Sequence, residues 1–241
     1  MTRAEQIAAN LQDVRARAGV ALAKSGRTAD SLCLLAVSKT VTAEDVVAAL
    51  AAGQLDFAES YGQEFRDKHQ AVAERVAASP GLPSPRWHFI GPLQSNKVKY
   101  VAGKVALIHS ASSLDILADI ERKAAALGVT QECLVQVNVA GETQKSGIAP
   151  ADLGTVLDTF ARATRLRCTG LMVIPPYDEN PELSRPHFAA LCRLRDEQRG
   201  HARANVNLDN LSMGMSHDLE VAITEGATLI RVGTAVFGAR A

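Results

Sequence analysis

Eight short apolar runs, spaced by stretches of helical periodicity, constrain this chain more than any other feature. They are Cys33–Ser38, Leu55–Glu59, Trp87–Gly91, Ala106–Ser110, Cys133–Val139, Cys168–Ile174, Val206–Met213 and Leu229–Thr234. Strands that alternate with helices pair in parallel through crossovers. Runs without strict polar alternation suit strands covered on both faces. Eight such units in 241 residues predict a single (β/α)₈ TIM barrel, an α/β fold that typically takes ~250 residues. An open doubly wound sheet is the architecture that competes with it. No linker or low-complexity segment interrupts the pattern, so residues 1–241 read as one domain.

The chain opens on an extra helix. Thr2 and Glu5 are spaced as a capping box, and Ile7, Leu11, Val14, Ala18 and Ala21 recur at helical intervals before Gly26. Between the runs, Val46, Val47 and Leu50 line a helix closed by Gly53, and Leu114, Leu117 and Ile120 line one closed near Gly128. Pro150 stands where a first-turn proline belongs, ahead of Leu153, Val156, Leu157 and Phe160. Phe188, Leu191 and Leu194 mark a seventh helix. Ser216 is the expected N-cap of a helix with Leu219 and Ile223 that ends at Gly226.

Composition narrows the function. With 26 basic and 26 acidic residues the net charge is zero, which favours neither nucleic acid nor an anionic membrane as partner. No stretch approaches the ~20 apolar residues of a membrane span, and the N-terminus lacks a secretory core. Cys33, Cys133, Cys168 and Cys192 form no C-x-x-C pair and read as small apolar residues rather than a disulfide or zinc framework. A cytoplasmic, reducing compartment is expected.

In a barrel of this kind the site is built at the carboxyl ends of the strands. Lys39 ends the first run, where desolvating an ammonium is costly. Either it reaches solvent at the rim, or burial lowers its pKa and leaves an amine able to attack an aldehyde. Ser212 to Ser216 close the seventh run and continue past it, and Arg231 to Ala235 do the same at the eighth. Loops after strands seven and eight often bind phosphate; their glycines also suit plain turns. Arg231 is always charged and can only donate hydrogen bonds. A rim salt bridge to Glu220 or Asp218 is the alternative to a site role. His88 and His109 read as hydrogen-bonded structure. No metal-ligand spacing and no nucleophile elbow stands in the sequence.

These segments carry a resemblance. Ala36 to Thr40 (AVSKT), Trp87 to Lys97 (WHFIGPLQSNK), Gln136 to Asn138, Lys145 to Gly147, Gly170 to Met172, Leu211 to Ser216 (LSMGMS) and Arg231 to Arg240 (RVGTAVFGAR) resemble the pyridoxal phosphate homeostasis proteins. That family shares the barrel of the alanine racemase N-terminal domain. The resemblance implies pyridoxal 5′-phosphate (PLP) held as a Schiff base on Lys39. It implies that Ser212, Gly233 and Thr234 grip the phosphate and that Arg231 faces the pyridine nitrogen. Ser60 and Met172 join the implied cofactor set, and Lys145 is a candidate secondary cofactor residue. Ser60 stands where the family reads asparagine, which shortens that polar arm. The implied role is intracellular PLP supply (vitamin B6 homeostasis) without strong catalytic turnover, with apo PLP-dependent enzymes as partners and a monomeric state.

Two other functions compete. A PLP-dependent amino-acid racemase of the related fold carries a further β-domain that helps supply a catalytic tyrosine. Here the sequence ends at Ala241, just past the eighth unit, and Tyr61, Tyr100 and Tyr177 have no evident claim to that task. A Schiff-base aldolase would use Lys39 on a substrate aldehyde and would be colourless.

Overall fold

The computed structural model describes residues 1–142 and 146–239. Eight parallel strands close a barrel in chain order: β1 (Cys33–Val37), β2 (Asp56–Glu59), β3 (Arg86–Phe89), β4 (Leu107–Ala111), β5 (Gln131–Gln136), β6 (Leu166–Met172), β7 (Val206–Met215) and β8 (Leu229–Val232). The eight apolar runs of the sequence are these eight strands, and β8 returns to β1 with Leu35 opposite Arg231 and Ala36 opposite Val232. That closure excludes the open sheet.

The helices form the outer layer: α1 (Arg3–Lys24), α2 (Ala43–Ala51), α3 (Gly62–Ala77), α4 (Val98–Val101), α5 (Leu114–Leu127), α6 (Leu153–Arg162), α7 (Arg185–Arg199), α8 (Leu219–Thr224) and α9 (Thr234–Phe237). The capping box at Thr2 and Glu5 is formed, and α1 buries Ile7, Leu11, Val14, Ala18, Ala21 and Leu22. Gly128 closes α5 in the left-handed conformation at φ 70°. Pro150 starts a 3₁₀ turn (Pro150–Asp152) that runs into α6.

Alternation along each strand sorts the core into two shells. Outward-facing Trp87 packs against Phe57 and against Phe65 of α3, with ring centroids 5.7 Å apart in each of these pairs. Inside, Leu35, Val37 and Ala58 form one cluster and Leu107, Leu134, Met172 and Leu229 another. Polar side chains take up much of the rest of this inner shell: Asp56, His88, His109, Ser212 and Arg231 are all buried.

The expected cap at Ser216 is corrected. Helix α8 begins at Leu219 with Asp218 in the capping position. The β7–β8 register shifts between Ser212 and Met215, so β7 runs on and the turn falls later than the sequence suggests. Gly214 sits in that shift at φ 89°, and a Cβ there would lie 2.5 Å from the Ala222 Cβ. The Ser216 hydroxyl instead accepts a hydrogen bond from the Ala235 N–H at 3.3 Å, at the start of α9.

The cysteines are thiols: Cys133 and Cys168 are buried, Cys33 and Cys192 half-buried. Burial pushes Cys168 and Cys33 up to about 12, which suppresses their thiolates. Among the described residues no helix is long and apolar enough to cross a membrane, and no His/Cys/Asp/Glu group could hold a metal ion.

Candidate functional site

Lys39 follows β1 and is half-buried. Cys33, Leu35 and Val37 face the barrel interior, so the same alternation carries Lys39 to the inner side of the mouth. The backbone turns sharply just beyond it. Thr40 takes φ 62°, unusual for a β-branched residue. The Thr40 hydroxyl donates to the Lys39 carbonyl at 2.6 Å and its N–H to Glu64 at 2.5 Å.

An ion network behind this turn fixes it. Lys68 of α3 is buried and donates to Glu59 and Glu64, both at 2.7 Å, and to the Ser38 carbonyl at 2.5 Å. The Ser38 hydroxyl donates to Glu59 at 2.7 Å. Burial raises the Glu59 carboxyl above its ordinary range, against the pull of Lys68 and Ser38. The network thus ties the ends of β1 and β2 to α3 on either side of Lys39. Sequence reasoning missed it, although Glu64 and Lys68 stand at the i,i+4 spacing of a helical ion pair.

Ser60, directly after β2, is buried at the mouth. Its backbone is pressed against Gly91, where a Cβ would come within 2.0 Å of the Ser60 carbonyl. The glycine of the WHFIGPLQSNK segment is therefore a close-approach residue. Met172 lies inside the barrel with Leu107, Leu134 and Leu229, beneath the mouth rather than on its rim.

Arg231 is 3% exposed and points into the barrel. It donates to the Ser212 hydroxyl at 2.7 Å and to the Val173 carbonyl at 2.9 Å. The alternative of a rim salt bridge fails. Glu220 pairs with Arg17 at 2.7 Å, and Asp218 accepts from Ser184 and from the Met215 N–H. Among the described residues no carboxylate lies within 4.0 Å of Arg231. Burial lowers its pKa to about 10.

Ser212 is fully buried next to Arg231, with its hydroxyl engaged by Arg231 and, at 2.8 Å, by His109. Gly233 and Thr234 stand at the start of α9, half-buried and exposed respectively, with Ser216 beside them. The phosphate-type loop therefore gathers Gly233, Thr234 and Ser216, while Ser212 belongs to the Arg231 side. Lys145 and Arg240 lie outside the described residues.

His88 and His109 are hydrogen-bonded to each other at 3.0 Å, and His88 contacts Asp56 at 3.1 Å. Burial pushes the Asp56 carboxyl up, but hydrogen bonds from His88 and Arg86 outweigh it and hold the group down to about 2. Burial, with help from His88 and Arg231, lowers His109 well below the ordinary imidazole range.

A cleft of about 780 Å³ lies at the other end of the barrel, where Cys33, Asp56, Arg86 and Leu229 begin their strands. Smaller hollows of about 270 and 240 Å³ lie at the carboxyl ends, one lined by Val37, Thr40 and Gly233, the other by Ile90, Gln136 and Asn138.

Known proteins match this arrangement over nearly its full length. The family model described as "Alanine racemase, N-terminal domain" matches residues 3–241. The pyridoxal phosphate homeostasis protein of Pseudomonas aeruginosa is 45% identical over 235 residues, 97% of this chain and 96% of the relative. That of Aquifex aeolicus is 42% identical over 231 residues, 95% of this chain and 96% of the relative. Among solved structures, PipY of Synechococcus elongatus with PLP bound superposes with a TM-score of 0.82 at 33% identity, covering 97% of this chain and all of PipY. Alanine racemase of Corynebacterium glutamicum has a TM-score of 0.69 at 14% identity, and this chain covers 61% of it, a likeness of fold alone. A closed barrel, the lysine at its mouth and matches along nearly all of the sequence converge on one conclusion: the chain belongs to the alanine racemase N-terminal domain family, among its pyridoxal phosphate homeostasis proteins.

Proposed function

We propose that this chain binds PLP through a Schiff base on Lys39 and serves intracellular PLP homeostasis, holding and releasing the cofactor without strong turnover of its own. Its relatives carry that role in their names, and PipY is solved with PLP bound. The observation that carries the reading is Arg231, a buried guanidinium whose protein partners are a hydroxyl and a carbonyl. A buried cation without a carboxylate suits a neutral acceptor placed at the mouth, and the pyridine nitrogen of PLP is such a group. The site residues fit the cofactor in other ways. Lys39 follows β1, the strand paired with that of Arg231, and the Gly233–Thr234 backbone with Ser216 offers donors for a phosphate.

The same geometry argues against fast chemistry. When bound, PLP supplies an electron sink, and that sink is strongest when its ring nitrogen is protonated. Arg231 can only donate, so it holds that nitrogen unprotonated. Proton transfer needs a positioned acid–base group, and Tyr61 and Tyr177 are 55% and 77% exposed. Lys39 supplies the amine, Arg231 and the α9 loop orient the ligand, and the Lys68 network keeps the turn after Lys39 in place. Delivery to apo PLP-dependent enzymes is the corresponding partner role.

Borohydride reduction of the protein incubated with PLP, followed by peptide mass analysis, tests this. The phosphopyridoxyl mass is expected on Lys39, and Lys39→Ala should lose the visible absorption band. Label on another lysine, or alanine racemisation above ~1 s⁻¹, would overturn the proposal.

A further inference from the structure

The interior of this barrel is crossed by a continuous hydrogen-bonded row. It runs from Arg231 on β8 to Ser212 on β7 at 2.7 Å, from Ser212 to His109 on β4 at 2.8 Å, from His109 to His88 on β3 at 3.0 Å, and from His88 to Asp56 on β2 at 3.1 Å. Exposure of the five residues ranges from 0% to 8%. TIM-barrel interiors are normally layers of branched apolar side chains. A buried polar row is costly unless every member is satisfied, so its presence calls for a reason.

The two ends fix the direction of every proton between them. Arg231 has only donors, and an ionised Asp56 has only acceptors. With both imidazoles neutral, a single arrangement satisfies all the contacts. His88 donates from Nε2 to Asp56 and accepts at Nδ1. His109 then donates from Nε2 to His88 and accepts at Nδ1 from the Ser212 hydroxyl. The Ser212 oxygen is left with its lone pairs turned to Arg231 Nη1. The reverse order, with His88 as a cation, sends donors from both Arg231 and His109 into Ser212. Its hydroxyl proton then has no acceptor among the described residues.

We propose that Asp56, His88 and His109 are positioning residues that act through Ser212 to hold Arg231 in place, so that the far end of the barrel sets the hydrogen bond Arg231 offers to a ligand at the mouth. This rests on the PLP reading for the identity of that ligand, though not for the row itself. It also assigns Ser212 to Arg231 rather than to a phosphate, because its one proton is committed to His109. Asp56 and Arg86 line the amino-end cleft, so the row joins the two ends of the cylinder.

The experiment has two arms. In the protein without cofactor, ¹⁵N NMR of the imidazole nitrogens should find His88 and His109 both neutral and protonated on Nε2. An Nδ1 proton on His109 overturns the proposal whether or not PLP binds. In the second arm, His109→Leu should shift the visible band of the PLP-loaded protein and weaken PLP binding roughly tenfold, the scale of a buried hydroxyl losing its acceptor. His109→Gln, which can both donate and accept, should restore most of both. An unchanged band and affinity in folded His109→Leu overturns the proposal. If His109→Leu does not fold, the comparison of His109→Gln with Ser212→Ala decides it, the alanine variant alone being expected to shift the band. Absence of a Lys39-linked band in the unmutated protein sinks the PLP reading instead, and leaves the NMR arm to judge the row.

Discussion

Asp56 and Arg231 are each buried and each charged, and they are held by different means. Asp56 has two cationic or polar neighbours, Arg86 and His88; among the described residues the hydrogen-bond partners of Arg231 are neutral. The depressed Asp56 pKa makes this a stability statement. A carboxyl whose folded pKa lies below its ordinary 3.8, at about 2, contributes stability that is complete above the higher value and lost as pH falls through the lower. Asp56→Asn should therefore flatten the acid limb of the profile of melting temperature against pH. Equal acid slopes in the two proteins would show that Asp56 contributes nothing there. At this scale the sequence is partly legible. Lys39 and Arg231 stand out because each ends an apolar run next to a glycine or a turn. Ser212 does not reveal its partners, since they come from β4 and β8, far away in sequence. The pairing of His88 with His109 is hidden for the same reason: sequence shows two separate histidines, and only the closure of the sheet makes them neighbours.

Among the elements, α3 does more than cover the sheet. Its Lys68 reaches the carboxyl ends of β1 and β2 and is the shared partner of Glu59, Glu64 and the Ser38 carbonyl. Removing one partner of a buried pair strands the other, at ~3–5 kcal/mol. Lys68→Met should thus destabilise by about that amount, read from chemical denaturation, and should lower PLP occupancy of Lys39 in protein that is still folded. A loss below ~1 kcal/mol would mean that the network behaves as a surface pair. The strands and most helices were readable because period and punctuation agree with the fold. The start of α8 was not. Ser216 has the right residue type for a cap, but the β7 register shift at Gly214 moves the turn and hands the capping position to Asp218.

For the whole molecule, ligand binding to the folded state alone raises stability by mass action. At a hundredfold excess over Kd the gain is about 2.7 kcal/mol, or roughly 5–10 °C of melting temperature for a chain of this size. PLP should produce such a shift in the intact protein and much less in Lys39→Ala, by thermal denaturation followed through tryptophan fluorescence. The same shift in both would place the ligand elsewhere. The barrel architecture was the most legible feature of all, because eight repeats of one unit leave few alternatives. Its interior was the least legible, because a closed sheet brings β2, β3, β4, β7 and β8 to one axis that no local pattern encodes.

The cleft of about 780 Å³ and Lys39 lie at opposite ends of this cylinder. Small molecules seated by Cys33 and Arg86 would leave the Lys39 end of the barrel uncovered. If PLP sits there as proposed, a change in its colour on filling the opposite end would report how far the buried row of Asp56, His88, His109 and Ser212 carries a disturbance to Arg231.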